Sequence, residues 1–184
     1  MHLSIIRATT LFACLSIGST ALGMSQPLEN ILAGIDSVPT RSQLVEALGD
    51  ASAQLESVAI DQDAPLYHRI RATSMLSTVN EDGGRAALLR LCSNSNVEIR
   101  RHAVYGLLRS TRGALTTNEW SKIQNMLQAD DPMVQKDIIR GFRWSQDQRG
   151  VEALRQIGSE VGPLKSLAVH VLNRRAVLHK APLQ

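Results

Sequence analysis

Ile99-Arg100-Arg101-His102-Ala103-Val104-Tyr105-Gly106-Leu107 is the stretch that decides the fold, with apolar side chains at its first, fifth and ninth positions and a base at its second. The same template returns in Val134-Gln135-x-x-Ile138-x-x-x-Phe142 and in Leu164-Lys165-x-x-Ala168-x-x-x-Leu172, and a degenerate copy begins at His68-Arg69-x-x-Ala72-x-x-x-Leu76. The starting positions 68, 99, 134 and 164 lie 31, 35 and 30 residues apart. Self-similarity at such a period marks a repeat array, in which each unit is one supersecondary element. Apolar residues four apart drift only slowly around a helix, so each block shows one apolar stripe to a neighbour and reads as the first helix of a hairpin.

Shorter amphipathic segments lie between the blocks, at 85–92, 120–127 and 151–157, and read as second helices. An earlier pair, 43–48 and 53–60, reads as a divergent first hairpin, with 28–35 as an extra turn ahead of it. Helix-start signals agree. Thr40-Arg41-Ser42-Gln43, Ser95-Asn96-Val97-Glu98 and Thr116-Thr117-Asn118-Glu119 are three capping boxes. Asp131-Pro132 and Gly162-Pro163 put a proline at the first helical position, where its missing N–H is no loss. Gly83-Gly84, Gly113 and Gly150 fall between blocks and read as breaks. No segment alternates with a period of two, so no strand is expected.

These blocks resemble the HEAT repeats, most closely the short subclass typified by phycobilisome-lyase-type proteins, through Asp131-Pro132-x-Val134 and Ile99-Arg100-x-x-Ala103-x-x-x-Leu107. The resemblance covers roughly residues 66–175 and implies an all-α chain, an α-solenoid of about four to five HEAT-like helical hairpins. The solenoid is expected over 41–178, after a poorly defined segment at 24–40 and before a tail at 179–184. A terminal helix is expected from Gly162 to about Leu178. Such solenoids serve chiefly as binding surfaces, so the resemblance implies architecture more than activity. Two enzyme classes share the fold, the bilin lyases and certain DNA glycosylases.

Composition supports stacked helices. Apolar residues make up 43% of the chain but only six residues are aromatic, so a core must come from Leu, Ile, Val and Ala rather than from the aromatic and β-branched residues of a sandwich. The opening MHLSIIRATTLFACLSIGSTALG has one base, Arg7, an uncharged apolar stretch over 8–18, then small residues, which is the layout of a secretory signal peptide at 1–23. Cleavage after Ala21, with Ser19 at the minus-three position, and after Gly23 both fit. The apolar stretch is well short of the roughly 20 residues that span a bilayer, and a lipoprotein reading of Leu11-Phe12-Ala13-Cys14 fits less well because too little apolar sequence precedes Cys14. The mature chain is therefore expected in the periplasm or secreted, without a transmembrane span. Its one remaining cysteine, Cys92, ends an apolar run and reads as a small buried hydrophobe.

Charge is distributed unevenly. Residues 24–66 hold seven acids and one base, whereas 67–184 hold eighteen bases and ten acids. Chemistry is harder to find: there is no Gly-rich phosphate loop, no G-x-S-x-G, no H-E-x-x-H and no C-x-x-C. No catalytic, cofactor-binding or metal-ligating residue is assigned, and Glu81-Asp82 and Asp130-Asp131 read as helix-start carboxylates. The expected function is that of a non-enzymatic scaffold binding a protein partner in the bacterial cell envelope, with no cofactor and no nucleic acid. The alternatives are a lyase-like modifying enzyme, or attachment to an anionic polymer or membrane surface.

Two faces compete for the partner. Arg69, Arg100, Gln135 and Lys165, one residue into each block, flank the apolar stripe and read as a structural ladder whose heads meet acids or helix C-terminal carbonyls. Farther around each block stands a basic outer stripe with two aromatic rings: Arg101, Tyr105, Arg109, Lys136, Arg140, Trp144, His170 and Arg174. The second helices offer an inner face through Arg85, Arg90, Lys122, Gln124, Glu152 and Arg155. The sequence leaves the choice between the two open.

Overall fold

Apolar stripes on helices are hidden only by laying helix on helix. In the computed structural model, which describes residues 25–34, 38–79, 81–110 and 114–178, all regular structure among the described residues is α-helical. The signal-peptide reading of 1–23, Gly113 and the tail at 179–184 lie outside the described residues. The helices are α1 (Gln26–Ala33), α2 (Arg41–Leu48), α3 (Ala51–Ile60), α4 (Leu66–Val79), α5 (Glu81–Leu91), α6 (Val97–Ser110), α7 (Thr117–Ala129), α8 (Pro132–Gly141), α9 (Gln148–Ser159) and α10 (Lys165–Leu178).

The repeat template forms the seam of the molecule. Ala72, Leu76, Ile99, Ala103, Leu107, Val134, Ile138, Phe142 and Ala168 are each at most 1% exposed, and burying a side chain of leucine size stabilises by about 1.5–3 kcal/mol. Helix α4 packs on α6, α6 on α8 and α8 on α10, so the template-bearing helices form one row. Helices α3, α5, α7 and α9 lie against that row, and hairpin stacks on hairpin as in a solenoid. Helices α7 and α9 sit closest to the template helices that follow them, α8 and α10. A two-residue link joins α7 to α8, whereas six residues separate α6 from α7 and α8 from α9.

Arginines close the seam from one repeat to the next. The ladder expected of the flanking column is present in two of its members. Arg69 donates from Nε to the Ala59 carbonyl at the end of α3 (3.2 Å), and Arg100 reaches both Asp130 oxygens (3.1 and 2.9 Å) as well as the Asn94 and Ser95 carbonyls. Others were not foreseen. Arg71 donates to the Ile31 carbonyl, Arg149 to that of Leu115, and Arg175 to those of Phe142 and Ser145. The fork of Arg85 grips Glu119, which itself closes a capping box on Thr116.

Helix ends follow the sequence in part. Thr40 with Gln43 and Thr116 with Glu119 form complete capping boxes, and Asp131 caps α8 with Pro132 in its first turn. At α6 the expected cap Ser95 gives way to Asn96, whose Oδ1 accepts from the Glu98 and Ile99 backbone N–H groups, while Glu98 turns to Arg101. The terminal helix starts at Lys165 rather than Gly162, and Pro163 lies in the turn ahead of it. Gly83-Gly84 and Gly150 are not breaks but lie inside α5 and α9. Their smallness is what the packing uses. A Cβ on Gly84 would overlap the Leu76 carbonyl oxygen, and one on Gly150 would come within 2.8 Å of the Phe142 ring.

Two outcomes test this packing. Gly84→Ala forces a backbone shift between α4 and α5 and is expected to lower unfolding stability by about 1–3 kcal/mol in urea titration. Glu119 supplies the second. Burial alone would raise its pKa, but the hydrogen bonds from Arg85 and Thr116 outweigh burial and hold it below the usual glutamate range. A depressed native pKa gives stability that is present above the unfolded pKa and lost as pH falls through the native one. Glu119→Gln should therefore unfold at a lower temperature than the parent at neutral pH. The difference should shrink below about pH 4.5, the ordinary glutamate value. A pH-independent difference would contradict the assignment.

Candidate functional site

The pairing of cations between repeats helps to sort the candidate residues. On the inner face, Arg85 is held by Glu119, Arg90 by both oxygens of Glu56 (2.6 and 2.5 Å), and Lys122 by the Ser93 hydroxyl. These three tie neighbouring helices, with the Arg90 side chain still 62% exposed. Arg155 is exposed on α9 and lines neither of the two concavities described below. Gln124 and Glu152 remain, and both line a hollow of about 630 Å³.

That hollow is a groove between α7 and α9, closed at one end by the α9–α10 turn. Trp120, Leu127 and Ile157 supply its apolar surface, and all three pack partly against the core. The guanidinium of Arg149 lies 5.2 Å from the Trp120 ring centroid and is fixed by Asp147. Hydrogen bonds from Arg149 are the main cause holding the Asp147 carboxyl below its ordinary range, with the Leu115 N–H assisting. Four carboxamides line the groove, Gln124 and Gln128 from α7, Gln135 from α8 and Gln156 from α9. Glu152, Glu160 and Lys165 add charges of both signs, and Val161, fully exposed, stands on the wall. Trp120, Gln128 and Gln156 are not singled out in the sequence, and Gln135 reads there as part of the structural ladder. Gln135 and Gln156 come from other helices, but Trp120, Gln124 and Gln128 follow at four-residue steps on α7, a signal that could have found that wall.

On the outer side the sequence foresees more of the site. Tyr105, Arg140, Trp144, His170 and Arg174 line one concavity of about 290 Å³, together with Arg143, Leu167 and Val171. Trp144 donates from Nε1 to the Tyr105 hydroxyl at 3.2 Å, so the two aromatic residues of the stripe meet across one repeat interval. Arg101, Arg109 and Lys136 do not line it. Arg101 is bound to Asp137 at 2.7 Å and to Glu98 at 2.9 Å, so it is a bridge between α6 and α8 rather than a contact residue. Arg143, absent from the expected stripe, stands one position off the template in the turn after α8, with its guanidinium carbon 4.9 Å from the Trp144 ring centroid.

Groups that attract attention as reactive are accounted for by burial. The Cys92 thiol is buried and pushed up to about 12 by desolvation, with Lys122 opposing and Asp130 and Glu119 adding to the shift. His102, lowered by burial and then by Arg101, has Nδ1 3.1 Å from the Ser74 hydroxyl. Among the described residues no three His, Cys, Asp or Glu side chains gather as a metal site, and no helix is long and apolar enough to cross a membrane.

Comparison with protein-family models, with curated proteins and with solved structures finds no match to this chain. The Cys92 environment has a direct consequence. In a Cys14→Ser chain, Ellman's reagent at pH 8 should leave the folded protein unmodified and titrate one thiol in denaturant. Rapid reaction of the native protein would show the thiol to be accessible.

Proposed function

We propose that this protein is a non-catalytic scaffold or adaptor of the bacterial cell envelope, and that the α7–α9 groove holds an extended, uncharged segment of a protein partner. The carboxamide lining is the observation that carries the reading. A carboxamide both donates and accepts, so Gln124, Gln128, Gln135 and Gln156 match the alternating N–H and C=O groups of an extended backbone without requiring a particular side chain. Trp120, Leu127 and Ile157 offer apolar contact for the segment's side chains. The signal-peptide layout of residues 1–23 supports placement outside the cytoplasm.

A modifying enzyme built on the same fold is the competing reading. In that reading Glu152, Glu160 and Lys165 are the ionisable groups of the groove available for chemistry.

A photo-crosslinking side chain at Gln128 should capture one protein in the exporting cell, with the adduct mapping to a single contiguous peptide. Gln124 and Gln156 are both exposed, so Gln124→Arg with Gln156→Arg fills the groove without disturbing the core. Capture should then fall by about tenfold or more, equivalent to ~1.4 kcal/mol. An adduct that persists at full yield in the double variant, or none in the folded exported parent, would remove the groove as the working surface.

A further inference from the structure

The outer concavity gathers cations, and no carboxylate lines its walls. Arg140 enters from α8, Arg143 from the turn after it, and His170 and Arg174 from successive turns of α10. Arg140 is bonded to Asp137 at 2.8 Å, but Asp137 is shared with Arg101. The side chains of Arg143 and Arg174 have no hydrogen-bond or ion-pair partner among the described residues, and Nε of Arg143 is buried without an acceptor. A buried guanidinium N–H left unpaired is unfavourable, and the residue that carries it lines the cavity. The Tyr105 hydroxyl accepts from Trp144, which leaves the phenolic proton to donate elsewhere.

We infer that this cavity is a binding site for a phosphate group carried on a small apolar body. One guanidinium fork saturates a planar carboxylate, whereas cations arriving from two helices and a turn suit an anion whose terminal oxygens point in different directions. Trp144, Leu167 and Val171 form the apolar part of the wall, against which the body of the ligand lies. A volume of about 290 Å³ restricts that body to roughly the size of a single ring or the upper part of a lipid headgroup. A soluble phosphate monoester and a phosphatidic-acid headgroup present the same chemistry, and the experiment separates them.

Calorimetric titration of the folded chain with phenyl phosphate, with benzoate as the carboxylate control, tests the site. Phenyl phosphate should bind more tightly than benzoate by about tenfold or more, and Arg174→Gln and Arg143→Gln should each weaken it by about tenfold. Arg174 is exposed, so its variant keeps the test decisive even if Arg143→Gln proves unstable. Arg155→Gln, on α9 away from the cavity, should change nothing. Co-sedimentation with phosphatidylcholine vesicles containing phosphatidic acid, lost in Arg174→Gln, would assign the phosphate to a lipid. Phenyl phosphate binding without vesicle binding would assign it to a soluble ester. Equal affinity for benzoate and phenyl phosphate, no binding of phenyl phosphate or vesicles, or binding that Arg174→Gln leaves intact would overturn the assignment.

Discussion

A two-helix hairpin of this size cannot bury its own apolar stripe, and everything else in the molecule depends on that. Ile99, Ala103 and Leu107 are hidden because α4 and α8 lie on either side of α6, and the same holds for Val134, Ile138 and Phe142 between α6 and α10. Stability in such an array resides in the interfaces between neighbours more than in any unit. Close approach is therefore selected at the interface residues. A Cβ on Gly141 would come within 2.6 Å of the Leu108 side chain on the adjacent helix, so a larger residue there would have to displace that side chain.

Closing the apolar seam leaves polar groups at every link, and arginine satisfies them. Its planar fork reaches across one repeat interval to a carboxylate, as from Arg85 to Glu119 and Arg101 to Asp137, or to a carbonyl at a helix end, as from Arg175 to Phe142, and Arg69 reaches the end of the preceding helix at Ala59. Each such bridge requires a neighbour one interval away. Helix α10 is the last described helix of the row, so its outward residues Arg174 and His170 meet no later hairpin among the described residues. Both concavities accordingly lie in the last stretch of the array, between α6 and α10.

This division explains how much was legible in the sequence. Periodicity reports burial, so the template residues located the helices and the seam correctly, and Thr40, Thr116 and Asp131 marked three helix starts. Periodicity does not report pairing between repeats. Arg101 and Arg140 occupy outward template positions, yet Arg101 is fixed between two carboxylates while Arg140 still reaches the cavity, and only the register of α6 against α8 separates the two. Gly84 and Gly150 misled for a similar reason: a glycine that permits close packing and one that ends a helix look alike until the neighbouring backbone is placed. The groove was half hidden because its lining is gathered from three helices, although Trp120, Gln124 and Gln128 stand at four-residue steps on α7.

The two concavities share helix α8. Gln135 lines the groove and Arg140 the cationic cavity. Five residues of α-helix correspond to a rotation of about 140° between the two side chains, so the sites open on opposite flanks of α8. Helix α10 divides in the same way, with Lys165 at the groove and His170 and Arg174 at the cavity. The two linings share no residue. Any influence between them has to pass through the α8–α10 packing, where Ile138, Phe142, Ala168 and Val171 are buried and small displacements are resisted by close contact.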